Sequence, residues 1–284
     1  MNDQLIAFEG ADIFDGTRLW SGHALLVQGA VIRGIVARAD VPDTARIQPL
    51  DGGTLAPGYV DLQVNGGGGV MFNDAPSLAT LATIADAHAG LGATAILPTL
   101  ITDTPDQTRA AIAAVAAAIA QGIPGIVGLH LEGPHLSRAR KGAHDSDLIR
   151  AMTQSDVSTL LEAASSLPVL KITIAPESVT PQQMRHLSDA GIILSLGHTD
   201  ASYDACYRAA QNGVRCVTHL FNAMSQLESR EPGLVGAALD HGGLSAGIIA
   251  DMVHVHPATI AAALRAKRGP GRVFLVSDAM ATAG

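Results

Sequence analysis

Four residues of this 284-residue chain stand where a short apolar run stops: Glu132 in GLHLEGPHL, His198 in IILSLGHTD, His219 in RCVTHLFNAM and Asp278 in RVFLVSDAM. One carboxylate and two neutral imidazoles form a donor set that suits one Zn²⁺ or Fe²⁺ ion and leaves a position open for water. A cation so held lowers the pKa of its water from about 15.7 to about 7, which makes hydroxide available at neutral pH. Asp278 faces the same place and can accept the water's proton. Together these residue types point to metal-assisted hydrolysis with one divalent metal.

Nearby ionisable and amide residues fit other roles. His130 shares a strand face with Glu132 but lies about 6–7 Å deeper by strand rise, which suits core support. Lys171 precedes Pro176 by five residues, roughly 16 Å below the strand's end, too deep for a carboxylated lysine bridging two metals. Gln63 and Asn65 stand where a second metal would need two histidines, and amides are poor ligands there. His23, His88, His135, His186, His241 and His256 have no convergent partners and are assigned no chemistry.

What must position the four residues is an alternating scaffold. From Pro57 onward, strand-like runs recur at GYVDLQVN, TAILPTL, IVGLHLE, LKITIAPE, IILSLGH, RCVTHLF, AGIIADMVH and RVFLVSDAM. Helical stretches lie between most of them. Residues 102–122 offer Asp103 or Thr104 as N-cap, Pro105 in the first turn and Gly122 as terminator; 202–213 and 257–269 repeat the pattern. Eight such strands predict a (β/α)8 TIM-type barrel over residues 57–284, with chemistry at the C-terminal strand ends. The competing fold is a doubly wound sheet, which should carry G-x-G-x-x-G after its first strand. None is present, and the GGGG at 66–69 suits a close backbone approach instead. Residues 1–56 differ: LIAFEG, HALLVQG and VIRGIVA read as strands of a small β unit.

Composition bounds the partners. With 48% hydrophobic and 15% charged residues, the chain builds a large core and is not disordered. The net charge of −8 opposes nucleic acid and anionic membranes as general partners. No apolar run approaches the roughly 20 residues that span a bilayer, and the start lacks a secretory pattern. Cys206 and Cys216 read as buried thiols of a reducing, cytoplasmic environment.

With these residues placed, the chain resembles the N-acetylglucosamine-6-phosphate deacetylases of the amidohydrolase superfamily. The matching stretches include PGYVDLQVNGGGGVMFND, LPTLITD, GLHLEGPHLSRARKGAHD, GHTDASYDACYRAAQNGVRCVTHLFNAM, REPGLVGAALD, IIADMVHV and VSDAMATAG. They occur in family order from about residue 57. The resemblance implies hydrolysis of an acetamido group to give glucosamine 6-phosphate and acetate. It carries over Glu132, His198 and His219 as metal ligands, and Asp278 as general base and later general acid. It implies that His144 polarises the substrate carbonyl and that Ala143, Asn222, Ala223, Arg230 and His254 contact the sugar phosphate. It also implies a homodimer, with some phosphate contacts crossing the interface.

The family pattern implies further chain after Gly284: the last barrel helix, a substrate-contacting loop and strands completing the β unit as a sandwich. Without them, an open sheet edge and exposed apolar surface predict poor stability or aggregation. Two alternatives stand beside the main reading. One is a deacetylase for an isomeric N-acetyl amino-sugar phosphate. The other is a noncatalytic fragment that keeps metal or sugar-phosphate binding.

Overall fold

The structure, a computed structural model, describes residues 4–284. It comprises two compact units, one running to Gly58 and the other from Tyr59 to Gly284. The first unit holds β1 (Leu5–Glu9), β2 (Asp12–Phe14), β3 (Leu19–Trp20), β4 (His23–Gln28), β5 (Val31–Ala37), β6 (Arg46–Pro49) and β7 (Thr54–Leu55). They form one sheet of order β5-β4-β1-β6 and a smaller one of order β3-β2-β7. Alternation along β1 and β4 buries Ala7, Ala24 and Leu26 as a small core, the pattern of a sheet with one packed face.

The second unit begins with β8 (Tyr59–Val64), the short hairpin β9 (Gly66–Gly67) and β10 (Val70–Met71), and α1 (Leu78–Gly90). There follow β11 (Ala93–Ile101), α2 (Pro105–Ala120), β12 (Leu129–Glu132), α3 (Gln154–Ser166), β13 (Leu170–Ile174), α4 (Pro181–Asp189), β14 (Ile193–Leu196) and α5 (Tyr203–Gln211). β15 (Cys216–Val217), α6 (Gly233–Asp240), β16 (Ser245–Ile248), α7 (Pro257–Ala266) and β17 (Val273–Leu275) complete it. Eight strands pair in parallel in the order β17-β16-β15-β14-β13-β12-β11-β8. The sheet closes through a parallel bridge between Val64 and Ala279, where Asp278 N donates to Gln63 O at 3.0 Å. The TIM-type barrel of the sequence reading is the fold.

Local chemistry explains where the helices begin. Ser77, Thr104, Thr153, Thr180 and Ser202 each accept the N–H three residues on through the side-chain oxygen, capping α1 to α5. Such a cap satisfies one of the amides that a helix start leaves without a partner. Thr104, rather than Asp103, caps α2. Along the strands, Leu129, Leu131, Ile172, Ile174, Leu194 and Leu196 turn outward into the core cluster shared with the helices. Each large aliphatic so buried contributes about 1.5–3 kcal/mol.

The alternate residues fill the barrel. His130 is hydrogen-bonded to Thr99 Oγ1 at 3.2 Å and to Thr173 Oγ1 at 2.7 Å. Thr173 continues to Thr218, and Thr218 to Ser195, both at 2.7 Å. Burial holds His130 well below its ordinary pKa, so it stands neutral as the hub of a hydroxyl layer. Lys171 pairs with His130, one layer below the Glu132 and Thr173 pair. Gly66 must lack a side chain, because a Cβ there would lie 2.4 Å from Val70 O and 2.9 Å from Ala281 N.

Strand ends differ from the sequence reading. His198 and His219 each lie two residues beyond the last strand residue, and Asp278 lies three beyond. The sixth strand shrinks to Cys216–Val217. The reason is conformational: His198, His219 and Asp278 adopt positive φ of 46°, 29° and 52°, which a β ladder does not accommodate.

Candidate metal centre

Glu132, at the end of β12, is 2% exposed, with His198 at 5% and His219 at 4%. Their ligand-type atoms all lie within 4.8 Å of one another. Glu132 Oε1 is 3.2 Å from His198 Nε2 and 3.0 Å from His219 Nε2, and the two Nε2 atoms are 3.0 Å apart. Metal–ligand bonds of about 2.0–2.1 Å in a tetrahedral site place ligand atoms about 3.3 Å from each other. The triangle therefore has the dimensions of one face of such a site.

Electrostatics agree with the geometry. Burial works against a charge on Glu132, yet the His198 and His219 rings beside it hold its carboxyl well below the ordinary value. Burial likewise opposes charge on His219, but its bond to Glu132 raises its pKa. Two such shifts mark a buried anion that draws a cation into the space between the rings. A divalent ion would meet that demand for all three donors.

His198 is oriented from behind. Its Nδ1 donates to the carbonyl oxygen of Arg140 at 2.9 Å. A carbonyl only accepts, so Nδ1 carries the proton and Nε2 presents its lone pair to the centre. The Arg140 side chain, in turn, is paired with Asp200 at 2.8 Å. The loop that follows is tied down by Glu177, which accepts from Thr199 Oγ1 at 2.5 Å and Asp200 N at 2.8 Å. For His219, Nδ1 is buried without a hydrogen-bond partner among the described residues.

Asp278 reaches the same mouth from the other side of the barrel. Asn65 Nδ2 donates to Asp278 Oδ1 at 2.7 Å, and Gln63 Nε2 does so at 3.0 Å. The same Gln63 amide lies 3.3 Å from both oxygens of Glu132. Burial, and after it the Glu132 charge, pushes the Asp278 carboxyl above the usual carboxylate value. A carboxylate of raised basicity beside a metal site is suited to taking a proton from water.

His144 is 3% exposed and stands edge-on to His198, with ring centroids 4.3 Å apart. Its Nε2 is 4.0 Å from Glu132 Oε2. Burial pushes its pKa down to about 4, so the ring is neutral at neutral pH. Gly142, two residues earlier, is packed so closely that a Cβ would lie 3.1 Å from His198 Cε1 and 3.8 Å from Ala223 Cβ. Ala143 is exposed beside it, and Asn222 and Ala223 are half-buried.

The remaining sequence candidates stand apart from this cluster. Arg230 is exposed, in the loop before α6, and makes no hydrogen bond or ion pair among the described residues. His254 lies in the loop after β16, with its Nδ1 2.7 Å from Asp251 Oδ2. Asp251 also accepts the N–H groups of Val253 and His254, and these bonds bring its pKa down to about 2.

Backbone strain concentrates here. Six non-glycine residues have positive φ among the described residues: His198, His219, Phe221, Ala223, Met252 and Asp278. All follow β14 to β17, and such conformations cost of order 1–3 kcal/mol each, a burden typical of functional sites. Asp251, Glu177, Arg140 and Thr102 are contributors that sequence reasoning passed over.

Comparison with known proteins places this geometry in context. The profile of the amidohydrolase family matches residues 54–278. The chain is 44% identical over 285 residues to an N-acetylgalactosamine-6-phosphate deacetylase of Shewanella sp. (strain ANA-3), covering 99% of this chain and 71% of that protein. The crystal structure of an N-acetylglucosamine-6-phosphate deacetylase from Pasteurella multocida superposes with a TM-score of 0.92 at 37% identity, covering 98% of this chain and 72% of that one. A mutant N-acetyl-D-glucosamine-6-phosphate deacetylase from Mycobacterium smegmatis, solved with N-acetyl-D-glucosamine-6-phosphate, matches with a TM-score of 0.87 at 31% identity, covering 98% and 71%. No helix among the described residues is long and apolar enough to cross a membrane.

Proposed function

The chain belongs to the amidohydrolase family, and from that premise we propose that it removes the acetyl group of N-acetyl-D-glucosamine 6-phosphate, giving glucosamine 6-phosphate and acetate. The observation that carries the proposal is the convergence of Glu132, His198 and His219, with Asp278 joined to Glu132 through the one Gln63 amide. Glu132, His198 and His219 would hold one zinc or iron ion, which supplies Lewis-acid polarisation to the amide carbonyl and the attacking water.

This chain's own residues do the rest. Asp278 accepts a proton as the water oxygen bonds to the carbonyl carbon. His144 donates its Nε2–H to the oxygen that gains negative charge, an effect commonly worth about 2.7–4 kcal/mol per donor. Asp278 then returns the proton to the nitrogen as the C–N bond breaks, so the free amine leaves, and the acetic acid becomes acetate by giving its remaining proton to solvent. Asn222, Ala143 and Ala223 bound the sugar. Arg230, unpaired and exposed, suits a dianionic phosphate, and His254 provides a second polar group.

The homodimer belongs to this proposal, and the exposure of Arg230 leaves its guanidinium free to serve a neighbouring subunit's phosphate. A cytoplasmic setting does too, supported by two free cysteines. A second reading rests on the 44% identical relative, an N-acetylgalactosamine-6-phosphate deacetylase: the galactosamine epimer would then be the preferred substrate. Comparing kcat/KM for the two epimeric 6-phosphates decides between them. A preference for the glucosamine form supports the main reading, and a preference for the galactosamine form replaces it.

A further inference from the structure

Thr102 follows β11 directly and is 5% exposed. Its backbone N–H donates to His144 Nδ1 at 3.3 Å, and its hydroxyl lies 2.7 Å from the same nitrogen. A backbone N–H only donates, so the nitrogen it meets must offer a lone pair. In a neutral imidazole the proton then resides on Nε2. The opposite tautomer would set an Nδ1–H against the Thr102 N–H. It would also send the hydroxyl proton to the Glu132 carbonyl oxygen, 3.5 Å away, a much weaker bond. The shorter contact and the amide agree on one arrangement.

Space for the hydroxyl is made on purpose by the chain. Gly133, the residue after the metal-ligand candidate Glu132, has φ +86°, and a Cβ there would lie 2.2 Å from Thr102 Oγ1. Any side chain at Gly133 would drive the threonine off His144. The mount of Glu132 and the orientation of His144 thus share one packing contact.

We propose that Thr102 is a positioning residue that fixes His144 as its Nε2–H tautomer. The ring then presents a hydrogen-bond donor to the reacting carbonyl and turns its lone pair away from the metal's donor set. The identity of the acceptor rests on the deacetylase reading; the tautomer does not.

The test uses the zinc-loaded full chain labelled with ¹⁵N-histidine. Long-range ¹H–¹⁵N spectra separate protonated from unprotonated ring nitrogens, with the His144 signals identified by their loss in His144→Gln. The expected result is a protonated Nε2 in the unaltered protein. Thr102→Val, which keeps the amide but loses the hydroxyl, should shift the tautomer ratio. It should also lower kcat about tenfold, the scale of one hydrogen bond, with KM little changed. Thr102→Ser should restore both. A protonated Nδ1 in the unaltered protein overturns the proposal, as does full kcat in Thr102→Val. If Thr102→Val does not fold, the unaltered and Thr102→Ser spectra decide. The expected tautomer without acetate release would sink the deacetylase reading and leave the role of Thr102 supported.

Discussion

Asn65 Nδ2 donates to Asp278 Oδ1 at 2.7 Å, so the residue just past the first barrel strand holds the candidate base that follows the last. Asn65 N also donates to Ala279 O at 2.9 Å. Closing the barrel and aiming the base are therefore one set of contacts. Gln63 extends the set to Glu132, which places an amide donor between two carboxylates that would otherwise repel.

Asp278→Asn keeps the shape of the side chain but cannot accept a proton. Turnover should fall by about 10²–10⁴, the usual worth of general base catalysis, with metal content unchanged. Elemental analysis and steady-state kinetics on the same sample check this. Unaltered kcat would remove Asp278 from the role.

His219→Ala deletes one donor of the triangle and leaves Glu132 and His198 as its two remaining ligand candidates. Metal content after dialysis should drop well below one ion per chain, while the fold persists by circular dichroism. Full retention of the metal would contradict the assignment of His219.

Gln63→Leu preserves most of the volume but leaves Glu132 and Asp278 facing each other without a shared donor. An unmet buried polar group costs about 1–3 kcal/mol. The urea midpoint should fall by the corresponding amount with an unchanged m-value. An unshifted midpoint would mean that the amide contributes packing only.

Asp156 supplies a pH test away from the mouth. Burial works against its charge, but two short bonds from Arg150 and the cap with Thr153 hold its carboxyl well below the usual value. Its folded pKa lies below its unfolded one. Its contribution to stability is therefore complete above the ordinary carboxyl range and is lost as pH falls toward the depressed folded value. Asp156→Asn should be less stable at neutral pH, and its deficit should shrink as pH falls through that range. A deficit that stays constant with pH would refute the linkage.

Asp251→Asn weakens the partner that sets His254. If His254 contacts the sugar phosphate, KM should rise several-fold with little change in kcat, as for a binding contact equal in ground and transition states. An unchanged KM would separate His254 from substrate.

The barrel and the three ligand candidates were legible because residue type and strand rhythm carry them. An apolar run stops, an ionisable residue stands at its end, and eight repeats fix the fold. The left-handed turns at His198, His219 and Asp278 were not legible, because an apolar pattern does not encode φ. These turns end strands where the apolar pattern runs on, and they reduce the sixth to two residues. Gln63 and Asn65 act as hydrogen-bond donors to the carboxylates rather than as ligands. The partners of Gln63 lie 69 and 215 positions away, and only the closed barrel brings them together. Thr102 was passed over because a threonine beyond a strand has no distinctive signal until its neighbour is seen to be His144.

The most direct measurement is acetate release from N-acetyl-D-glucosamine 6-phosphate by this chain, first stripped of metal and then restored with zinc or iron. The account predicts no release from the stripped protein and turnover on restoration, saturating near one metal ion per chain. Folded, metal-loaded protein that releases acetate from neither epimeric 6-phosphate would contradict it.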